Sequence, residues 1–202
     1  MRRVRGAAAC LLACACALIL GVSAADAAFE FGTAPKLPTL SNVTLNAQAQ
    51  TVNTTMTGFS VTDTRGTKSG WNVTVIGQAA AGKSAVFAQY CPKPKCGTDA
   101  EGYVAAGQKL AANSLKLNST GAKFAGGAGA APTFLCAAGC NVDSAAAVKV
   151  ASAATGGAGE STWTASGFSA TSLQLTVPTT IRALANEEVY RVNLLWTLAT
   201  GP

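Results

Sequence analysis

The sequence contains no histidine, and only 12% of its 202 residues are charged and 6% are aromatic. Without an imidazole, Ser-His and Cys-His catalytic pairs and histidine metal ligands are excluded. Carboxylates are few, and the adjacent Glu187 and Glu188 would face opposite ways in a strand. No two of them suggest the acid and base that cleave glycosidic bonds. We therefore predict that the chain is not an enzyme and uses no cofactor.

One long apolar run, at residues 6–22, lies near the N-terminus. Arginines precede it and small residues follow it up to Ala27, a pattern typical of a secretory signal peptide. We expect residues 1–27 to be removed. The remaining 28–202 would form a single secreted domain without a transmembrane span, because no second run of that length occurs.

The charge is mildly basic after signal removal. The full chain carries 15 Lys or Arg and 9 Asp or Glu, and the signal takes away three arginines and one aspartate, which leaves 12 and 8, a net charge of +4. The remaining cations are scattered along the chain, whereas binding to a phosphate backbone needs a dense basic patch. We therefore expect no nucleic-acid partner.

Four cysteines remain after the three of the signal peptide are removed: Cys91, Cys96, Cys136 and Cys140. An even number in an exported chain favours disulfides. Three pairings are possible, and we favour the two local ones because each lies in a turn-rich stretch. The alternative is a metal site, which would need all four thiolates to converge without any histidine.

Apolar residues alternate with polar ones along much of the chain, which predicts β-strands with one buried face. The alternating sets are Val43 and Leu45, Val52 and Met56, Phe59 and Val61, Trp71 to Val75, Leu115 and Leu117, and Leu173 to Val177. The clearest strand is predicted at residues 189–198, where alternate residues from Tyr190 to Leu198 share one face and Leu195 is the exception.

The middle of the chain, about 79–167, has a different texture, with glycine pairs, long alanine runs and all four remaining cysteines. We interpret it as a variable region of long excursions between strands. No apolar stretch has a convincing helical period. The predicted fold is therefore all-β, an antiparallel β-sandwich with long Gly/Ala-rich loops.

Residues Gly77 to Ser84 match the phosphate-binding pattern G-x-x-x-x-G-K-[ST]. That chemistry needs a helix directly after the loop and an acidic residue to hold magnesium. The chain reaches Cys91-Pro92 soon after Ser84, which leaves room for one short helix only. A nucleotide-binding enzyme is therefore the weaker hypothesis, and an ordinary hairpin loop the stronger one.

Two segments together resemble a WxL domain, a cell-wall-binding family of Gram-positive surface proteins. The first is Val61-Thr62-Asp63-Thr64-Arg65-Gly66 leading to Gly70-Trp71-Asn72-Val73-Thr74-Val75, and the second is Val189-Tyr190-Arg191-Val192-Asn193-Leu194-Leu195-Trp196-Thr197-Leu198. The first tryptophan motif ends in Val73 where the family has leucine. The cysteines and the Ala/Gly-rich composition mark a divergent member, of actinobacterial character.

The resemblance implies a protein of the extracellular surface that attaches non-covalently to peptidoglycan or another cell-wall polymer, beside a membrane-anchored partner. The candidate binding residues are Asp63, Arg65, Trp71, Tyr190, Trp196 and Leu198. Either tryptophan could instead fill the sandwich core. Likewise, Asp63 and Arg65 could form a local ion pair that closes their turn.

A rival hypothesis is a structural or adhesive surface protein. Such a protein would pair with other chains through its strand edges or its final strand.

Overall fold

The alternation of apolar and polar residues gives rise to β-strands over most of the structure. The structure is a computed structural model that describes residues 27–93, 96, 100–185 and 187–202. Apart from Ala27, the predicted signal peptide lies outside the described residues. The described part contains fifteen β-strands and no helix. Accordingly, it has no helix of the length and apolar character needed to cross a membrane.

In chain order the strands are β1 (Phe29–Thr33), β2 (Gln50–Thr54), β3 (Phe59–Asp63), β4 (Trp71–Gly77), β5 (Ala88–Cys91), β6 (Gly102–Tyr103), β7 (Leu115–Leu117), β8 (Lys123–Ala128), β9 (Thr133–Phe134), β10 (Cys140–Asn141), β11 (Val148–Ala153), β12 (Glu160–Ser166), β13 (Leu173–Val177), β14 (Val189–Arg191) and β15 (Leu194–Thr200). They form four antiparallel sheets: sheet A (β1-β3-β12-β8), sheet B (β10-β7-β13-β2), sheet C (β15-β4-β11-β9) and sheet D (β14-β5-β6).

Aromatic side chains join the inner faces of sheets A and C. Phe59 of β3 meets Phe134 of β9 edge to face, with ring centroids 6.4 Å apart. Phe124 of β8 stacks on Phe134 at 4.5 Å and contacts Trp71 of β4 at 6.0 Å. Sheet B adds buried leucines, including Leu115, to the same core. The all-β antiparallel sandwich predicted from the sequence is confirmed.

The middle region differs from the prediction of long excursions. Eight of the fifteen strands, β5 to β12, lie within it and complete all four sheets. Seven of the eight are only two to six residues long. Apart from β7, where Leu115 and Leu117 alternate as predicted, they carry too few large apolar residues to show a clear period. Glycine also serves packing here: at Gly127, φ is +65° and an added Cβ would lie 2.0 Å from Trp163 Nε1.

Two other predicted strands are corrected. Val43 and Leu45 lie in a segment without strand structure, where the half-buried residues Leu37, Leu40 and Val43 recur every third position. The predicted strand 189–198 is divided into β14 and β15, which belong to different sheets.

The division occurs at Asn193, whose backbone is held by the loop between β4 and β5. Its N–H donates to Ser84 O and its carbonyl accepts from Gln78 N, both at 2.8 Å. The closing segment therefore changes sheets at this residue.

Candidate functional site

The Asp63-Thr64-Arg65 turn follows β3 and is closed by a bidentate ion pair. Arg65 Nε donates to Asp63 Oδ1 at 2.9 Å and Nη2 donates to Oδ2 at 2.8 Å. The Arg65 backbone N–H also donates to Oδ1, at 3.2 Å. These hydrogen bonds, chiefly those from the guanidinium, hold the pKa of Asp63 below its ordinary value. Asp63 is only 5% exposed, so the role of its carboxylate is to stabilise the turn.

The same guanidinium reaches two further elements. It lies over the Phe29 ring of β1, with Cζ 3.5 Å from the ring centroid. Its Nη1 donates to Thr200 Oγ1, at the end of β15, at 2.5 Å. Beside this contact, Gly201 N donates to Gly70 O at 3.1 Å. The two segments that carry the family resemblance therefore meet at one corner of the molecule.

Trp71 lies in the core. Its side chain has no exposed surface, and its Nε1 donates to Gly159 O at 2.9 Å. Gly159 has φ of +72°, and a Cβ there would lie 2.5 Å from Nε1, so only glycine leaves room for this indole. Of the two roles that the sequence left open for Trp71, the structure places it in the core-filling one.

Trp196 and Leu198 are on β15, which pairs with β4 over its whole length. Trp196 lies opposite Val75 and Leu198 opposite Val73. Both side chains pack on the core but remain half-buried, because β15 is an edge strand of sheet C. They are the two candidate residues of this corner whose apolar surface a ligand can still reach.

Tyr190 is separated from that corner by the change of sheets at Asn193. It belongs to β14 and lines a cleft of about 860 Å³ that runs between residues 37–45 on one side and residues 181–184 and 188–192 on the other. Its hydroxyl donates to Arg182 O at 2.8 Å. Burial raises the pKa of this phenol above its ordinary value. The cleft floor is apolar and includes Val52.

Two residues of this region, Thr200 and Leu195, were not among those predicted from the sequence. Thr200 holds Arg65 but lies 135 positions away, and no local pattern marks it. Leu195, which is 45% exposed, lies opposite Ile76 on the outer face of sheet C. In the sequence, Leu195 is the one residue that breaks the alternation of the closing strand.

The four cysteines form two local disulfides. Cys91 pairs with Cys96 and Cys136 pairs with Cys140, with Cα–Cα distances of 5.5 and 5.2 Å. The favoured pairing is confirmed, and it replaces the alternative of a thiolate metal site. The described residues also contain no group of three or more His, Cys, Asp or Glu that could hold a metal ion.

The segment Gly77 to Ser84 ends β4 and forms a turn, in which Lys83 N donates to Ala80 O at 2.9 Å. The Lys83 ammonium donates to Gln78 Oε1 at 2.7 Å. The chain then continues to β5, which begins at Ala88. This loop therefore lacks the helix N-terminus that a phosphate-binding loop requires.

Comparison with known proteins identifies the family. No curated protein and no solved structure matches the chain. The family model described as "WxL domain surface cell wall-binding" matches residues 19–202, which is nearly the whole chain. The chain therefore belongs to the WxL domain family of surface cell wall-binding proteins.

Proposed function

We propose that this protein is secreted and attaches non-covalently to peptidoglycan, or to a glycan linked to it, through the exposed side of β15. Family membership supports cell-wall binding at the surface. The corner where Arg65 meets Thr200 is the observation that carries the proposed surface, because it fastens the first motif segment to β15, the edge strand on which Trp196 and Leu198 are partly exposed. A membrane-anchored surface protein is a second proposed partner.

The residues of the corner have different proposed roles. Asp63 and Arg65 hold the turn against β15, and Trp71 fills the core beneath it. Trp196 and Leu198 supply the apolar contact, since the C–H face of a sugar ring packs well on an indole. Tyr190 is not part of this surface, because it lies in sheet D and its hydroxyl is engaged by Arg182.

Sedimentation of the purified protein with cell-wall sacculi tests the proposal. We expect the wild-type protein to sediment and Trp196→Ala to remain in solution. Leu135→Ala is the matched control, because Leu135 is a large apolar residue, 48% exposed, between β9 and β10. Thermal melting shows that each variant is folded.

Two outcomes would reject different parts of the proposal. If the wild-type protein stayed in solution, wall binding would be rejected. If folded Trp196→Ala sedimented as well as Leu135→Ala, the β15 surface would be rejected and wall binding would be retained.

A further inference from the structure

The outer side of β15 has no strand partner within the described part of the chain. Sheet C begins with β15, which is seven residues long and pairs with β4 in an unbroken register from Leu194 to Thr200. One row of its backbone N–H and C=O groups therefore points away from the sheet. Such a row is a template for another strand.

β15 also lacks the features with which proteins protect sheet edges, which include charged side chains, proline and bulges. Its sequence, Leu-Leu-Trp-Thr-Leu-Ala-Thr, has no charge and no proline. By contrast, edge strand β1 carries Glu30 and an irregular register, and edge strand β8 carries Lys123 and an irregular register.

Both faces of β15 carry apolar side chains. Leu194, Trp196 and Leu198 are half-buried on the inner face, whereas Leu195 is 45% exposed on the outer face beside Ile76. A long, apolar and uncharged edge strand invites pairing with a strand of another chain. β15 is therefore suited to accept a further strand at its free edge.

We infer that β15 of a second copy of this chain completes the sheet, in an antiparallel pair centred on Thr197. This register places Trp196 opposite Leu198 of the second copy, and Leu195 opposite Ala199 of the second copy. Thr197 then faces Thr197 of the second copy on the exposed outer face. Apolar pairs and a threonine pair of this kind stabilise antiparallel sheets.

A second copy fits this edge because the strand is complementary to itself. It carries no charge that would repel an identical neighbour, and the two-fold axis through Thr197 matches Trp196 with Leu198 and Leu195 with Ala199, while Leu194 at the end of the strand lies opposite Thr200. Two such strands bury less surface than a standard interface of about 1,200–2,000 Å². The dimer is therefore expected to depend on protein concentration.

Dimerisation would place two Trp196 side chains on the same face of one continuous sheet. Trp196 and Leu198 are also the residues proposed to contact the wall polymer, so a second strand and the polymer would compete for the apolar surface that the free edge of β15 leaves exposed. This consequence rests on the proposed function, whereas the dimer itself does not.

A charge-pair experiment at Thr197 tests the inference. Thr197→Lys and Thr197→Glu each place two like charges opposite each other in the dimer, yet both side chains stay exposed in the single chain. Light scattering without cell wall measures the mass over a concentration series. We expect the wild-type mass to rise twofold, each variant alone to keep the mass of one chain, and their equimolar mixture to regain the doubled mass.

Thr164→Lys is the matched control, because Thr164 is an exposed threonine on β12, inside sheet A. It should dimerise as the wild-type protein does. A wild-type mass of one chain at every concentration would overturn the inference. So would doubled mass in either Thr197 variant alone, or a mixture that stays at the mass of one chain. None of these results depends on wall binding.

Discussion

Arg65 Nη1 lies 2.5 Å from Thr200 Oγ1, and this hydrogen bond links the turn after β3 to the last residue of β15. The other nitrogens of the guanidinium bind Asp63, and its face lies over Phe29. One side chain therefore fastens β1, β3 and β15 together. The position of the closing strand depends on a residue in the first half of the chain.

Replacing Arg65 with alanine should destabilise the protein by about 2–3 kcal/mol, because it leaves the nearly buried carboxylate of Asp63 without its cation. The stability of Arg65→Lys should lie between those of the wild-type protein and Arg65→Ala. Lysine keeps the positive charge but cannot bind both carboxylate oxygens at once as the guanidinium does. Urea unfolding followed by tryptophan fluorescence measures both changes.

Arg182→Ala is the control for Arg65→Ala, because Arg182 is exposed and offers Tyr190 only its backbone carbonyl. Its effect should be within about 0.5 kcal/mol of zero. Equal losses in the two arginine variants would show that the ion pair does not hold the corner.

Local features of this structure followed from the sequence. The alternation around Phe59, Trp71 and Leu173 predicted β3, β4 and β13, because a strand with one buried face needs apolar residues at every second position. The two disulfides join cysteines five and four positions apart, and they were predicted because each pair lies in a turn-rich stretch that a short bridge can hold. An ion pair between Asp63 and Arg65 that closes their turn was one of two interpretations.

Contacts between distant segments could not be predicted. Nothing near Thr200 marks it as the partner of Arg65, and nothing near Gly159 marks it as the acceptor for Trp71. The break at Asn193 depends on the loop between β4 and β5, which only the folded chain brings there. These relationships follow from sheet topology, which local periodicity leaves undetermined.

Trp71→Phe tests the core role of that indole. Phenylalanine leaves Gly159 O without its donor and a gap in the core, so we expect a loss of about 2 kcal/mol. Sedimentation with sacculi should stay at the wild-type level at temperatures where the variant is folded. Loss of sedimentation in folded Trp71→Phe would contradict the separation of roles between Trp71 and Trp196.

Asp63 and Asp143, which are both buried, should affect stability in opposite directions as the pH changes. Arg65 lowers the pKa of Asp63, whereas burial raises the pKa of Asp143 above its ordinary value of 3.8. Asp63 therefore contributes stability that is present above its unfolded pKa and is lost as the pH falls through its folded pKa. The cost of ionising Asp143 is absent below its unfolded pKa and grows as the pH rises through its folded pKa.

Unfolding free energies measured by urea denaturation across the acid range check both signs. Asp63→Asn should remove part of the loss of stability at low pH. Asp143→Asn should be less stable throughout, because Asp143 oxygens accept from Leu115 N and Ser114 N at 2.8 and 3.1 Å. Relative to the wild-type protein, however, it should gain stability as the pH rises. If the unfolding free energies of Asp143→Asn and the wild-type protein changed in parallel with pH, the raised pKa of Asp143 would be contradicted.

Gly82 and Gly127 have similar positive φ angles, so replacing each with alanine distinguishes the cost of backbone strain from the cost of a steric clash. Gly82 has φ of +69° and nothing within 4 Å of an added Cβ, so Gly82→Ala should cost only about 1–2 kcal/mol, the strain of left-handed backbone. At Gly127, φ is +65° and the added Cβ would lie 2.0 Å from Trp163 Nε1. Gly127→Ala should therefore cost about 1–3 kcal/mol more, because the indole must leave its site.

Displacement of the Trp163 indole can be detected by fluorescence. In the wild-type protein its Nε1 donates to Glu160 O at 2.9 Å and the side chain is only 6% exposed. Displacing it into water should shift tryptophan emission to longer wavelength in Gly127→Ala and leave it unchanged in Gly82→Ala. Urea unfolding supplies the two free energies. Equal losses and unchanged emission in both variants would mean that strand β8 yields to the methyl group, and that Gly127 is required for its backbone angle alone.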